Sequence, residues 1–256
     1  MLLAVDIGNT TIGLGLFDGK KLVRAWRIKT DRDKTGDEYA ATVLDLFRIA
    51  GRDPGAIAGG IISSVVPPLT PVWEEVCRSC FRTEPRVVGP GLKTGMPILY
   101  ENPLEVGADR IAAAVAAFER YGGPAVVVDF GTATTFDAVS AKGEYLGGAI
   151  APGIQISAEA LYLKTARLPR IEIRKPKRAI GRTTVSSMQS GLYFGYVGLV
   201  TNTIGEIRKE LGVEARVVAT GGFGSLIVPE LDGIEAFEPD LVLEGLRIIF
   251  DRNREG

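Results

Sequence analysis

Two short segments of the chain place an aspartate, a glycine and a threonine in the same order and spacing. They are Asp6-Ile7-Gly8-Asn9-Thr10-Thr11 and Asp129-Phe130-Gly131-Thr132-Ala133-Thr134. Each follows an apolar run, which predicts a strand that ends in a turn. A glycine there lets backbone N–H groups approach an anion, the hydroxyls add donors, and the carboxylate can bind a hard cation. Phosphoryl transfer requires this combination of fixed donors and cation charge.

A single Asp-x-Gly after a strand is usually only a hairpin turn. Here the two copies lie close to half the chain length apart, and duplication alone would not require both turns to keep the same polar set. The chain has no Gly-x-x-x-x-Gly-Lys-Ser/Thr sequence, so a nucleotide would have to use these turns rather than a P-loop. Thr220-Gly221-Gly222 follows another predicted strand and could admit a flat adenosine, although such a segment alone is more often a plain turn.

A second constellation is Gly107-Ala108-Asp109-Arg110, in the opening turns of a predicted helix. A kinase that acts on an alcohol needs a carboxylate to orient the hydroxyl and take its proton, and Asp109 is a candidate for that base. Arg110 could bind an anionic part of the substrate. The alternative is that Asp109 only complements the helix dipole and that Arg110 forms a surface ion pair.

Composition excludes several classes of function. The chain has no histidine, so Ser-His-Asp and Cys-His catalysis and histidine-ligated metals are impossible. Cys77 and Cys80 form one Cys-x-x-Cys on a predicted helix and are interpreted as reduced thiols. The net charge of −1 provides no basic field for nucleic acid or anionic membrane. With no signal peptide and no apolar run of about 18 residues, the expected location is the cytoplasm.

The surrounding patterns indicate a duplicated α/β unit that positions these residues. Each turn is predicted to lie within three antiparallel strands, followed by alternating helices and strands. Helices are predicted over residues 36–50, 68–81, 104–121, 186–211 and 241–252, with further strands over 60–63, 86–88 and 216–219. The prediction is two similar lobes, 1–115 and 116–256, each with a mixed sheet covered by helices and with a cleft between them.

These residues together resemble the type III pantothenate kinases, a family of the acetate kinase–sugar kinase–Hsp70–actin superfamily. The resemblance covers essentially the whole chain. It is carried by Asp6-Ile7-Gly8-Asn9-Thr10, Thr35-Gly36-Asp37-Glu38-Tyr39, Ser63-Ser64-Val65-Val66-Pro67, Tyr100-Glu101-Asn102-Pro103, Gly107-Ala108-Asp109-Arg110, Asp129-Phe130-Gly131-Thr132-Ala133-Thr134-Thr135 and Thr220-Gly221-Gly222. It implies a duplicated actin-like (ribonuclease H-like) fold, with ATP in the cleft, and ATP-dependent phosphorylation of pantothenate, the first step of coenzyme A synthesis.

The resemblance also implies roles for individual residues. Asp109 matches the family's general base, and Asp129 matches a carboxylate that helps to hold a monovalent cation, potassium or ammonium. The positions that match the ATP site, where Mg²⁺ is also expected, are Asp6, Ile7, Gly8, Asn9, Thr10, Thr11, Ile12, Gly13 and Thr132; Gly131, Gly221 and Gly222 are added from the turn argument. Those that match pantothenate contacts are Tyr100, Gly107, Ala108, Asp109, Arg110 and Thr184. In the family Thr184 reaches the substrate of the neighbouring subunit, which implies a homodimer.

Two alternatives remain open from the sequence. One keeps the fold and changes the substrate, giving a sugar or acetate kinase or a phosphohydrolase of the same superfamily. The other is a non-catalytic accessory factor for transcription, for which the basic segment 170–178 could be offered as a nucleic-acid patch. One basic loop in a chain of net charge −1 is more typical of a solvated surface, so no nucleic-acid or membrane partner is expected.

Overall fold

The computed structural model describes residues 1–254, and these form two compact units. One unit is Met1–Ala116 together with the segment that begins at Asp240, and the other is Ala117–Pro239. The predicted lobes, 1–115 and 116–256, would place that last segment with the second half, and this division stays a prediction. No helix among the described residues combines the length and the apolar character needed to cross a bilayer.

The described residues form ten strands and seven helices, joined by turns and short 3₁₀ segments. The strands are β1 (Leu2–Ile7), β2 (Thr11–Asp18), β3 (Lys21–Lys29), β4 (Gly59–Ser64), β5 (Pro85–Val87), β6 (Ala125–Phe130), β7 (Ala133–Val139), β8 (Tyr145–Pro152), β9 (Arg216–Thr220) and β10 (Ala236–Phe237). The helices are α1 (Gly36–Ile49), α2 (Thr70–Phe81), α3 (Ala108–Tyr121), α4 (Ile154–Lys164), α5 (Thr184–Leu211), α6 (Gly224–Ile227) and α7 (Leu241–Arg252).

The two sheets have the same topology, which confirms the predicted α/β duplication. The first has the order β3-β2-β1-β4-β5, and the second has the order β8-β7-β6-β9-β10 when read from its β8 edge. In each, three antiparallel strands are extended by two parallel ones. The first turn therefore leaves the central strand β1, and the second turn leaves the central strand β6.

Helices cover both faces of the first sheet. Alternate residues of β1, namely Leu3, Val5 and Ile7, pack in a core cluster with α1 and α2. Asp6 has the opposite parity and lies on the other face, as expected from the two-residue period of a strand. Helix α7 covers that face. Gly15 of β2 lets the helix pack closely on the sheet, because a Cβ on residue 15 would lie 3.2 Å from the Leu243 side chain.

Side-chain caps mark the start of α1 and of the 3₁₀ turn before α3. Thr35 caps α1: its side chain accepts from the Glu38 N–H, and the Thr35 N–H donates to the Glu38 carboxylate at 2.9 Å, which agrees with the predicted start. Helix α3 begins at Ala108, later than the predicted residue 104. The intervening Pro103–Glu105 is a 3₁₀ turn, capped by the Asn102 side chain. The later start makes Asp109 the second residue of α3.

The sequence analysis misses α4, α6 and β10 in the second unit. The apolar residues of α4 do not repeat on one face, and its N-cap is Gly153, which has no capping side chain. Helix α6 has four residues and β10 has two, too few for a periodic pattern. By contrast α5 has a Thr183 cap and ends at Gly212 in the left-handed region (φ 67°), and its prediction is confirmed with a start two residues earlier.

Candidate active site

The first predicted turn closes the β1–β2 hairpin and is held by the residue after β3. The Gly8 N–H donates to the Thr11 carbonyl at 3.0 Å, and the Thr30 N–H donates to the Thr10 carbonyl at 2.9 Å. The Thr30 hydroxyl donates to the Gly8 carbonyl at 2.7 Å. A Cβ on residue 8 would lie 2.9 Å from the Thr11 carbonyl oxygen, so a side chain there would force the turn to move. Thr30 is absent from the predicted site, because only strand pairing brings it to the turn.

The polar side chains of the first turn lie at the surface. Asn9, Thr10 and Thr11 are exposed, and the Arg32 guanidinium donates to the Asn9 Oδ1 at 2.9 Å. A cation beside the turn favours an anionic ligand. No motif in the sequence marks Arg32, which lies in the loop between β3 and α1.

Asp6 lies near the end of β1, where β4 pairs with it. Residue 6 is in register with Ser63, whose hydroxyl donates to Asp6 Oδ1 at 2.5 Å. Burial raises the pKa of Asp6 to about 7; the charge of Asp109 adds to the rise and the Ser63 hydrogen bond opposes it. The fold therefore brings Asp6 and Asp109, far apart in sequence, within range of each other's charge in one unit.

The first turn of α3 holds Asp109, and the absence of a side chain at Gly107 leaves room for its carboxylate. The Arg110 N–H donates to Asp109 Oδ1 at 2.8 Å. A Cβ on residue 107 would lie 2.5 Å from that same oxygen, so Gly107 leaves the space that the carboxylate occupies. Burial raises the pKa of Asp109, while the Arg110 N–H and the Arg110 guanidinium lower it. A carboxylate with a raised pKa is suited to accept a proton.

The raised pKa of Asp6 predicts a pH-dependent effect on stability. Below pH 3.8 the carboxyl is neutral in both states; above it the unfolded chain ionises first, so stability falls until about pH 7. Asp6→Asn should therefore raise the free energy of unfolding over the unaltered chain, by about 1–3 kcal/mol more at pH 8 than at pH 5. Thermal melts without nucleotide or Mg²⁺ test this, with exposed Asp18→Asn as the control. Equal gains at both pH values would contradict it.

The second turn is packed against glycines from two other segments. Gly221, after β9, has φ 93°. A Cβ there would lie 2.3 Å from Asp129 Oδ1 and 2.6 Å from the Phe130 backbone. A Cβ on Gly153 would lie 2.3 Å from the Thr132 carbonyl oxygen. Gly221 thus makes room for Asp129, whereas Gly222 is exposed and has open space around it, as the predicted adenosine site requires.

Thr134 does not belong to the polar edge of the second turn, and that part of the prediction is wrong. Its side chain is fully buried and contacts the Tyr196 hydroxyl of α5. Thr132, by contrast, is exposed. The pattern could not separate the two threonines, because residue 134 is already in β7, where alternate side chains point to opposite faces.

The remaining predicted residues are divided between the two units. Tyr100 lies in the loop after β5, in the same unit as Asp6, Gly8 and Asp109. Thr184 is exposed at the first position of α5, in the unit that carries Asp129. Within residues 1–254 no group of three or more acidic or cysteine side chains is arranged to hold a metal ion. The Asp129 cation site remains a prediction.

The two cysteines have the environment of structural thiols. Both are free and lie on α2, with Cys77 buried. Burial is the main cause that raises the pKa of Cys77 to about 12, so its thiol stays protonated at neutral pH. This supports the interpretation as reduced thiols.

Comparison with known proteins gives one consistent family. A family model described as type III pantothenate kinase matches residues 2–206. A type III pantothenate kinase of Geobacter sulfurreducens is 56% identical over 255 residues, which cover 100% of this chain and 100% of that protein. Another, from Geotalea uraniireducens, is 55% identical over 255 residues, again 100% of both chains.

One solved structure that resembles the chain is more distant in sequence. The activator of 2-hydroxyisocaproyl-CoA dehydratase from Clostridium difficile, with bound ADPNP, gives a TM-score of 0.56 at 14% identity and covers 99% of this chain and 96% of that one. At this identity the match shows the fold alone, and it agrees with the predicted actin-like class.

Proposed function

The chain belongs to the type III pantothenate kinase family, and from this premise we propose that it transfers the γ-phosphoryl group of ATP to the primary hydroxyl of pantothenate. The products are ADP and 4′-phosphopantothenate, which makes this the first step of coenzyme A synthesis. The observation that carries the proposal is the half-buried Asp109 carboxylate at the start of α3, within range of the Asp6 charge and in the unit that contains the first turn.

Asp109 acts as the general base. The hydroxyl oxygen of pantothenate forms a bond to the γ-phosphorus while the bond from that phosphorus to the bridging oxygen breaks. ADP keeps the bridging oxygen, and the hydroxyl proton moves to the Asp109 carboxylate. The Arg110 N–H holds Asp109 Oδ1 at 2.8 Å, which fixes the carboxylate without neutralising it. Because its pKa is raised, the Asp109 carboxylate is a stronger base than the carboxylate of an exposed aspartate.

The two turns bind the nucleotide. In the first, residues 6–13 provide a turn that Gly8 keeps tight and the exposed side chains of Asn9, Thr10 and Thr11. In the second, Gly131 and Thr132 take the same part, with Gly221 and Gly222 beside the adenosine. Mg²⁺, when bound, neutralises phosphate charge, and the Asp6 carboxylate is the kind of oxygen ligand that it prefers.

The substrate side is formed by Tyr100, residues 107–110 and Thr184. Arg110 and the N-terminus of α3 suit the carboxylate of pantothenate. Thr184 is exposed at the start of α5, as a residue that reaches the substrate of a second subunit must be. We therefore include a homodimer in the proposal. We also include the cytoplasmic location that the sequence analysis predicts.

Asp129 helps to bind a monovalent cation, and activity should require one. We expect turnover with potassium or ammonium and little turnover in sodium alone, because the cation offsets negative charge at the second turn. Initial rates in each chloride salt at constant ionic strength measure this. Asp129→Asn should lose the potassium response, whereas full activity in sodium alone would contradict the role.

Substrate-dependent ADP release tests the proposed function. The chain is incubated with Mg-ATP and potassium, and pantothenate, acetate and hexoses are supplied in turn. We expect release with pantothenate only. Release with acetate or a hexose, and none with pantothenate, would favour another kinase of the superfamily. Release independent of any acceptor would indicate a phosphohydrolase.

A further inference from the structure

Helix α4 begins directly against the second turn and lacks an ordinary cap. Its N-cap is Gly153, whose N–H donates to the Thr132 carbonyl at 3.2 Å. A Cβ on residue 153 would lie 2.3 Å from that carbonyl oxygen and 2.6 Å from the Gly131 carbonyl oxygen. Serine, threonine, aspartate or asparagine, the usual caps, therefore cannot occupy this position without displacing the turn.

Tyr196, on α5, lies against the second turn. It is only 5% exposed. Its phenol oxygen contacts the Thr134 hydroxyl. Its ring packs beside Phe130, with the ring centroids 6.3 Å apart. One side chain of α5 therefore contacts the residues on both sides of the turn, Phe130 and Thr134.

We infer that Tyr196 is a positioning residue for the nucleotide-binding backbone of the second turn. Its hydroxyl contacts Thr134 of β7 and its ring packs beside Phe130 of β6, so both ends of the turn are anchored to α5. This holds the Gly131 and Thr132 carbonyls against Gly153 and so fixes the direction of the neighbouring N–H groups. The inference rests on the proposed nucleotide site at residues 131–132, which it deepens.

Helix α5 offers a matched control one turn earlier. Tyr193 is also buried, at 1% exposed, but its hydroxyl donates to the Leu226 carbonyl at 3.3 Å, away from the turn. Tyr193→Phe and Tyr196→Phe thus remove the same atom from the same helix. Both keep the ring and its packing, so neither leaves a large cavity.

The test compares nucleotide affinity in the two variants. Calorimetry with MgADP should give a Kd about three- to ten-fold higher in Tyr196→Phe, the range expected for one lost hydrogen bond, and a Kd within about two-fold of the unaltered chain in Tyr193→Phe. The KM for ATP should rise with that Kd, while kcat and the KM for pantothenate stay within about two-fold. Amide exchange in residues 131–133 should become faster only in Tyr196→Phe.

A double-mutant cycle completes the test. Thr134→Val removes the partner hydroxyl, and its effect on MgADP affinity should not add to that of Tyr196→Phe. Equal affinities in the two tyrosine variants, or a rise of both KM values together, would overturn the inference. If the unaltered chain binds MgADP but does not phosphorylate pantothenate, the proposed function is refuted, and the two tyrosine variants can still be compared. If the unaltered chain does not bind MgADP, the proposed function and this inference are both overturned.

Discussion

Asp109→Asn is expected to lower kcat by about 10²- to 10⁴-fold, because an amide cannot accept the proton of the substrate hydroxyl. The fold should survive, since Asn Oδ1 can still accept from the Arg110 N–H that Asp109 uses at 2.8 Å. Burial raises the pKa of Asp109, so the ionised carboxylate does not stabilise the fold. Its removal should therefore not destabilise the chain at neutral pH. The measurement is pre-steady-state turnover with pantothenate, together with a thermal melt.

The control for this prediction is Glu119→Gln, which changes an exposed carboxylate on the same helix. It should leave kcat unchanged. The MgADP affinity of Asp109→Asn should stay within about three-fold of the unaltered chain, because the nucleotide does not use the base. Turnover near the normal value in Asp109→Asn would remove Asp109 from the mechanism.

Gly221→Ala is expected to have the second largest effect, on both nucleotide affinity and stability. The residue has φ 93°, which costs a side chain about 1 kcal/mol or more. The new Cβ would also lie 2.3 Å from Asp129 Oδ1 and 2.6 Å from the Phe130 backbone. We expect a loss of about 2–4 kcal/mol in the free energy of unfolding. We also expect a MgADP Kd raised at least about ten-fold, because Asp129 must move.

Gly198→Ala is the control for that substitution. Residue 198 lies within α5 and has open space around its Cα, so alanine there should be neutral or stabilising. The two variants are compared by calorimetry and by denaturant unfolding. Unchanged MgADP affinity in Gly221→Ala would show that the contact with Asp129 has no part in nucleotide binding.

The sequence was sufficient for the features that repeat or follow a period. The duplicated turns predicted a repeated α/β unit that begins with three antiparallel strands, and the structure adds the common strand order. The three- and four-residue spacing of apolar residues predicted α1, and the structure adds the capping box of Thr35 and Glu38 at its start. Gly107 and Asp109 were identified from a helix start, and the structure places the carboxylate in the space that the glycine leaves.

Features that depend on partners distant in the chain could not be predicted. Ser63 bonds to Asp6 because β1 and β4 are in register, and Thr30 reaches the first turn through β3. No side-chain cap marks the start of α4, where Gly153 packs against the second turn. These are tertiary contacts, and the spacing of residues within one segment does not predict them.

The duplication also conceals a difference between the two turns. Asp6 pairs across the sheet with Ser63, and Asp129 pairs at the same register with Thr220. The next residue is Ser64 in the first unit and Gly221 in the second, and only the glycine allows Asp129 its present position. The two carboxylates therefore have different surroundings, which fits their different proposed roles toward Mg²⁺ and a monovalent cation.

Amide exchange with and without MgADP tests most directly whether one nucleotide uses both turns. The account predicts slower exchange in residues 8–11 and in residues 131–133 at the same MgADP concentration, with no comparable change in α2. Protection of one turn alone, or of neither, would contradict the account.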